Sequence, residues 1–289
     1  MRAFVAIVCL AIAACQAALT HDLVQIKALD WVGTDADPIA HLTQHPSTCL
    51  TAPNDPAVQR GALLFSSPLL LGGQAAKAGL SCAACHRNGR GNPDFFFAGI
   101  SGAAGTADVT HGLFSKLRAD HVFNPVVIPD LATEAGQIQV DRTIPGELEA
   151  FLTAQIVEEF AGAAPEALVI ADLAAYIRAI DDAACLANEV EPQTWEAEIA
   201  LVRAGLTADR PAPSPYTDAM RAALGRIYER FPATGDASLG NALITLSRGI
   251  DDGMSAEAIA ADVNRLYSRL GAMEQSSLYD PVVLARALR

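Results

Sequence analysis

Residues 192–289 contain no cysteine, no histidine and no lysine. The last third of the chain therefore offers no thiolate or imidazole to a metal or cofactor. Aromatic residues make up only 6% of the sequence, whereas 51% is hydrophobic and alanine is abundant. That balance supports a real core and favours helices over sheets. Positive charge is also short: 20 Lys and Arg stand against 33 Asp and Glu, for a net charge of -13. Without a basic stripe to neutralise phosphates, nucleic acid is excluded as a partner. A basic protein is the natural electrostatic match. After residue 15 no apolar run is long enough for a transmembrane helix. The length, 289 residues, corresponds to one or two domains.

Residues 3–14 form a short apolar run behind Arg2. They read as a secretory signal, too short to persist as a membrane anchor. The run ends in Ile12-Ala13-Ala14-Cys15, which resembles the lipobox of bacterial lipoproteins, with Ile where Leu is commoner. The resemblance implies a lipidated Cys15 and a protein tethered to the membrane on its periplasmic side. Ordinary cleavage nearby would instead release it into the periplasm. Cys9 leaves with the signal, and Cys82 and Cys85 share one motif. Cys49 and Cys185 remain, an even pair that brackets the motif in an oxidising compartment. A disulfide between them is expected, the alternative being two free thiols.

Residues 16–54 read as an irregular lead-in. Asp55-Pro56 is an N-cap followed by proline in the first turn, opening a helix to about Ser66 with Val58, Ala62 and Phe65 on one face. Residues 67–144 are rich in Gly, Pro, Asn and Asp, so loops and short helical turns should dominate, as in a chain that wraps a ligand. Helical spacing returns near Pro145, with Leu148, Phe151, Leu152, Ile156 and Phe160, and again from Pro165 to Ile180. Residues 186–289 carry four or five amphipathic helices, one capped by Ser255 and the last opened by Asp280-Pro281. The expectation is all-α: a ligand-wrapping domain over 55–185, then a helical bundle or extension over 186–289.

The chemistry resides in Cys82-Ala83-Ala84-Cys85-His86, a C-x-x-C-H motif. Two thiols three positions apart can each form a thioether with one vinyl group of a haem, which places His86 under the iron as proximal ligand. A zinc half-site would need a second Cys or His pair, and none has suitable spacing. A redox dithiol is the other competing reading. The motif therefore implies one covalent haem c.

Around this motif the sequence resembles a known family. Gly61-Ala62-Leu63-Leu64-Phe65 resembles the Gly/Phe face of the first helix of class I cytochromes c. Asp172-Leu173-Ala174-Ala175-Tyr176-Ile177-Arg178 resembles the last helix of that fold, which crosses the first. Residues 60–91 are also similar to the haem region of bacterial di-haem cytochrome c peroxidases and their methylamine-utilisation relatives. The resemblance covers residues 55–183 and implies a cytochrome c-like fold. Those peroxidases carry two C-x-x-C-H motifs, whereas this chain has one.

Class I carriers place a Met on the far side of the iron, but no Met occurs between His86 and Met220. His111 and His121 are the first candidates for a sixth ligand, and either would give bis-His ligation. Met220, Met254 or Met273 reaching in from the C-terminal helices, or His21, His41 or His45 folding back, are further alternatives. Met254 also suits a hydrophobic staple on Ile259, and Met273 a loop. An open position would permit ligand binding or peroxide chemistry, with Glu134 or Glu147 as acid–base candidates. Phe95-Phe96-Phe97 suits a haem wall, and Lys77, Arg87, Arg90 and Arg118 suit propionate partners. Pro125 and Pro129 should hold an extended segment, which the resemblance places on the distal haem face. The sequence thus reads as an exported electron-transfer cytochrome with a protein redox partner. A peroxidase-like enzyme or haem sensor is the alternative.

Overall fold

The computed structural model describes residues 26–114, 117–133, 140–185, 190–231 and 237–288. The signal segment, Cys15, His21 and Glu134 lie outside the described residues. The described chain is mostly helical, with two small two-stranded ladders.

Two helices cross at the centre. Asp55 accepts the Ala57 N–H at 2.7 Å and Pro56 occupies the first turn, which starts α2 (Pro56–Phe65). A shorter helix precedes it: α1 (Pro38–Thr43), capped by Asp37. The other partner of the crossing is α6 (Ala167–Ala179). Between them lie three further helices, α3 (Gly73–Ala78), α4 (Cys82–Cys85) and α5 (Glu147–Ala154). A Cβ on Gly61 would lie 2.1 Å from the Asp172 carbonyl oxygen and 2.6 Å from Tyr176 Cβ. The helices therefore touch backbone to backbone, which only glycine permits. The crossing brings Phe65 against Tyr176, with ring centroids 5.1 Å apart. Gly61→Ala is expected to force the helices apart and cost about 1–3 kcal/mol of stability. A lower denaturant midpoint at unchanged slope is the expected reading.

The lead-in is more ordered than its sequence suggests. A 3₁₀ turn (Lys27–Trp31) and α1 lead into β1 (Gln44–Pro46). Six helical residues are too few to show a 3.6-residue period. β1 pairs antiparallel with β4 (Val190–Pro192), placing His45 opposite Glu191. β2 (Thr106–Ala107) pairs with β3 (Val126–Val127) within the loop-rich region. After α5 the chain continues as a π turn over Gln155–Glu159.

The C-terminal helices are α7 (Trp195–Leu206), α8 (Pro215–Arg230), α9 (Ala237–Asp251), α10 (Ala256–Met273) and α11 (Pro281–Ala287). The first four, α7 to α10, form a second core that includes Leu63 of α2, whereas the next two residues, Leu64 and Phe65, belong to the first core; α11 instead packs Leu284 with Ile26, Leu42 and Leu278. One helix thus serves both cores. Asp172, nearly fully buried, accepts two hydrogen bonds from Arg60 and a third from the Tyr216 hydroxyl at 2.6 Å. Arg226 of α8 donates to the Ser66 carbonyl and pairs with Glu198. The composition shift at residue 186 therefore does not separate two independent packing units.

Candidate functional site

α4 is a single turn between Ser81 and His86. The His86 N–H donates to the Cys82 carbonyl at 2.8 Å, and Asn92 Nδ2 donates to the Ala84 carbonyl at 2.8 Å. The turn is thus closed from within and clamped from outside. Cys82 through Cys85 rest on the first core, which includes Phe65, Leu80, Phe95 and Ile128. Neither thiol is in a disulfide. Burial pushes Cys82 up to about 11 and Cys85 up to about 12. Both are neutral thiols at physiological pH. A redox dithiol needs a depressed cysteine, so the raised values oppose that rival to thioether attachment. Among the described residues, no group of three His, Cys, Asp or Glu side chains is placed to hold a metal ion.

His86 leaves the helix and turns its ring toward Phe65, with centroids 6.4 Å apart. Its Nδ1 lies 3.0 Å from the Pro129 carbonyl oxygen. A carbonyl only accepts, so the proton resides on Nδ1 and the Nε2 lone pair is free. Burial pushes His86 down to about 4, which keeps the ring neutral. A neutral imidazole with an oriented second nitrogen is the state an iron ligand requires. The donor set therefore fits a covalent haem.

No family model, curated protein or solved structure matches the chain. The site's reading accordingly rests on Cys82, Cys85, His86 and the Pro129 carbonyl. The last was not expected from sequence. Residues 125–129 are partly extended as β3, and the Pro129 carbonyl lies on the Nδ1 side of His86.

The disulfide joins Cys49 and Cys185, and Cys49 is fully buried. Arg90 Nη1 lies 2.9 Å from Cys49 Sγ and 3.3 Å from Cys185 Sγ, while its Nε donates to both oxygens of Asp130. Asp130 follows Pro129. A continuous path of contacts thus runs from the disulfide through Arg90 and Asp130 to the carbonyl that orients His86. The other proposed propionate partners have different roles or surroundings. Arg118 pairs with Glu158 and Glu159, and Arg87 donates to the His41 and Gln44 carbonyls. Lys77 sits in the last turn of α3. Phe95 is fully buried core, and Phe97 stacks on Trp31 at 4.8 Å.

His111 and His121 line one open depression of about 420 Å³, together with Gly112, Asp120, Val122 and Phe123. His111 Nδ1 accepts the Leu113 N–H at 3.1 Å, which leaves the neutral ring's proton on Nε2. Ligation through Nε2 would require that bond to break. His121 has no such bond, and its backbone is left-handed, with φ 61°. Met220 is buried in the second core, where a Cβ on Gly205 would lie 2.4 Å from its Cγ. Met254 packs on Gly249, and Met273 ends α10 rather than lying in a loop. All three methionines serve the second core. His41 is buried between Asp94 and Arg87. His45 is pushed down to about 3 by burial, and its Nδ1 has no partner.

Two buried carboxylates escaped sequence reasoning. Glu159, at the end of the π turn, is 2% exposed and keeps one oxygen unpartnered, and burial raises its pKa. Asp108 is 1% exposed and also has one unpartnered oxygen. For Glu159 the sequence offers only two adjacent glutamates ahead of Phe160, a pattern that carries no signal of burial. Glu147, the earlier candidate, lies in the exposed first turn of α5.

Proposed function

We propose that this chain is an exported electron-transfer cytochrome, with one haem c held by Cys82 and Cys85 and ligated by His86. The observation that carries the reading is the hydrogen bond from His86 Nδ1 to the Pro129 carbonyl. It fixes the tautomer and orientation of a neutral ring immediately after two neutral, partly buried thiols. The close crossing at Gly61, beside Phe65 and Tyr176, supports a class I cytochrome c-like haem domain over residues 55–185. The haem, when bound, supplies a one-electron ferric–ferrous couple. Cys82 and Cys85 anchor it, His86 supplies the proximal nitrogen, and Pro129 holds that nitrogen's ring in place. The acidic surface suits a basic redox protein as partner. Among the described residues no helix is long and apolar enough to cross a membrane, so contact with the membrane would come through a lipidated Cys15. A periplasmic or membrane-tethered location follows from the signal segment.

A peroxidase-like enzyme or ligand sensor is the second reading, and Glu159 favours it. Its buried carboxyl with a raised pKa is the kind of acid–base group that peroxide chemistry needs. Optical spectra of the haem-loaded protein, oxidised and reduced, with and without carbon monoxide, separate the two. A low-spin spectrum indifferent to carbon monoxide is expected. A high-spin ferric band, or a ferrous form that takes up carbon monoxide at once, would replace electron transfer with the second reading.

A further inference from the structure

His41 occupies a position with two mutually exclusive partners. Its Nδ1 lies 3.0 Å from Asp94 Oδ2 and 3.2 Å from Arg87 Nη1. An unprotonated Nδ1 can accept from Arg87 but offers nothing to Asp94. A protonated Nδ1 donates to Asp94 and can no longer accept from Arg87. The ring is 7% exposed and the Arg87 side chain 11%, so neither readily substitutes water for a lost partner. Asp94 is 35% exposed and gives the ring a route to solvent. Arg87 is the residue after His86, and its Nη2 is anchored on the His41 and Gln44 carbonyls.

We propose that His41 is a proton-binding positioning residue that couples uptake of a proton to reduction of the haem, acting through Arg87. The proposal rests on the haem reading above. One electron delivered by a protein redox partner reduces the iron. A proton from water enters by way of Asp94 onto His41 Nδ1, and both leave on reoxidation. The sign follows from charge. A proton on His41 adds positive charge beside Arg87, next to the iron's proximal ligand. Positive charge there disfavours the ferric state, so the reduction potential rises as pH falls. By linkage, reduction tightens proton binding at His41 by the same factor.

The charged groups facing His41 are Arg87 and Asp94 from the segment after the motif, Arg230 from α8, and His45 from β1. Burial and the two arginines lower the His41 pKa, against the opposing pull of Asp94. The pH-dependent range therefore lies below that of an ordinary histidine.

The test is spectroelectrochemical titration of the full-length, haem-loaded protein from about pH 4 to pH 8. The wild type should show a flat potential at the upper end and a rise toward acid. That rise should correspond to a proton affinity about fivefold or more higher in the reduced state. His41→Gln keeps an amide that can accept from Arg87 and donate to Asp94, but it cannot titrate, so its profile should be flat. Asp94→Asn removes the anion and should move the inflection to lower pH. Equal pH dependence in wild type and His41→Gln overturns the inference while leaving the haem reading intact. Absence of a pyridine haemochrome band overturns the haem reading and the redox coupling with it. The proton swap at Nδ1 is then decided by imidazole ¹⁵N shifts in the same protein. An Nδ1 that gains a proton toward acid sustains the swap, and one that never changes protonation overturns it.

Discussion

The double variant Cys82→Ala/Cys85→Ala is expected to lose all covalently bound haem, while each single variant keeps at most one thioether. The two side chains sit at the ends of a single turn, and among the described residues there is no other free cysteine to replace them. The measurement is a haem stain of the denatured chain, which reads covalent bonds and not pocket affinity. His111→Ala should stain like wild type, because thioether attachment does not involve that ring. His86→Ala should change the spin state of whatever haem is retained, since the neutral Nε2 supplied by the Pro129 hydrogen bond is gone. A double variant that still stains would refute attachment at this motif. A wild type that does not stain would refute the haem altogether.

The second large effect concerns the disulfide. Cys49 and Cys185 close a loop with a sequence separation of 136 residues. Chain-entropy arithmetic for a loop that long gives about 5 kcal/mol, and removal of natural disulfides from small secreted domains costs about 2–5 kcal/mol. The whole stability of a domain is about 5–15 kcal/mol. The double variant Cys49→Ala/Cys185→Ala should therefore melt about 5–20 °C below the oxidised wild type. Differential scanning calorimetry of haem-loaded samples is the check, and a shift smaller than about 2 °C would show that the link does not restrain the unfolded chain. The loss extends beyond entropy. Arg90 would lose both sulfur contacts, leaving Asp130 as its main anchor. Because Asp130 follows the carbonyl that holds His86, the variant should also loosen the His86 ring while leaving the attachment proposed at Cys82 and Cys85 intact. Covalent haem at wild-type yield together with a broadened spectrum would be the signature.

What the sequence determined by itself was local. The C-x-x-C-H spacing places two thiols and an imidazole within one turn whatever surrounds them. Asp55-Pro56, Ser255 and Asp280-Pro281 begin helices because their side chains satisfy nearby N–H groups, a short-range matter. Apolar periodicity placed α7 to α10 for the same reason. The tertiary structure alone decided everything that depends on residues far apart in the chain. The Pro129 carbonyl meets His86 across 43 residues, and Asp172 collects Arg60 and Tyr216 from 112 and 44 residues away. Leu63 and Leu64 face different cores, although they are neighbours of one type, because α2 is packed on two sides. The sequence ranked His111 ahead of His121 as a ligand, yet the backbone N–H that His111 Nδ1 accepts stands against that order. His41 looked like a lead-in residue until burial set it between a carboxylate and a guanidinium. Short-range hydrogen bonding and side-chain period are written residue by residue, whereas partners, burial and tautomers are properties of the packed chain.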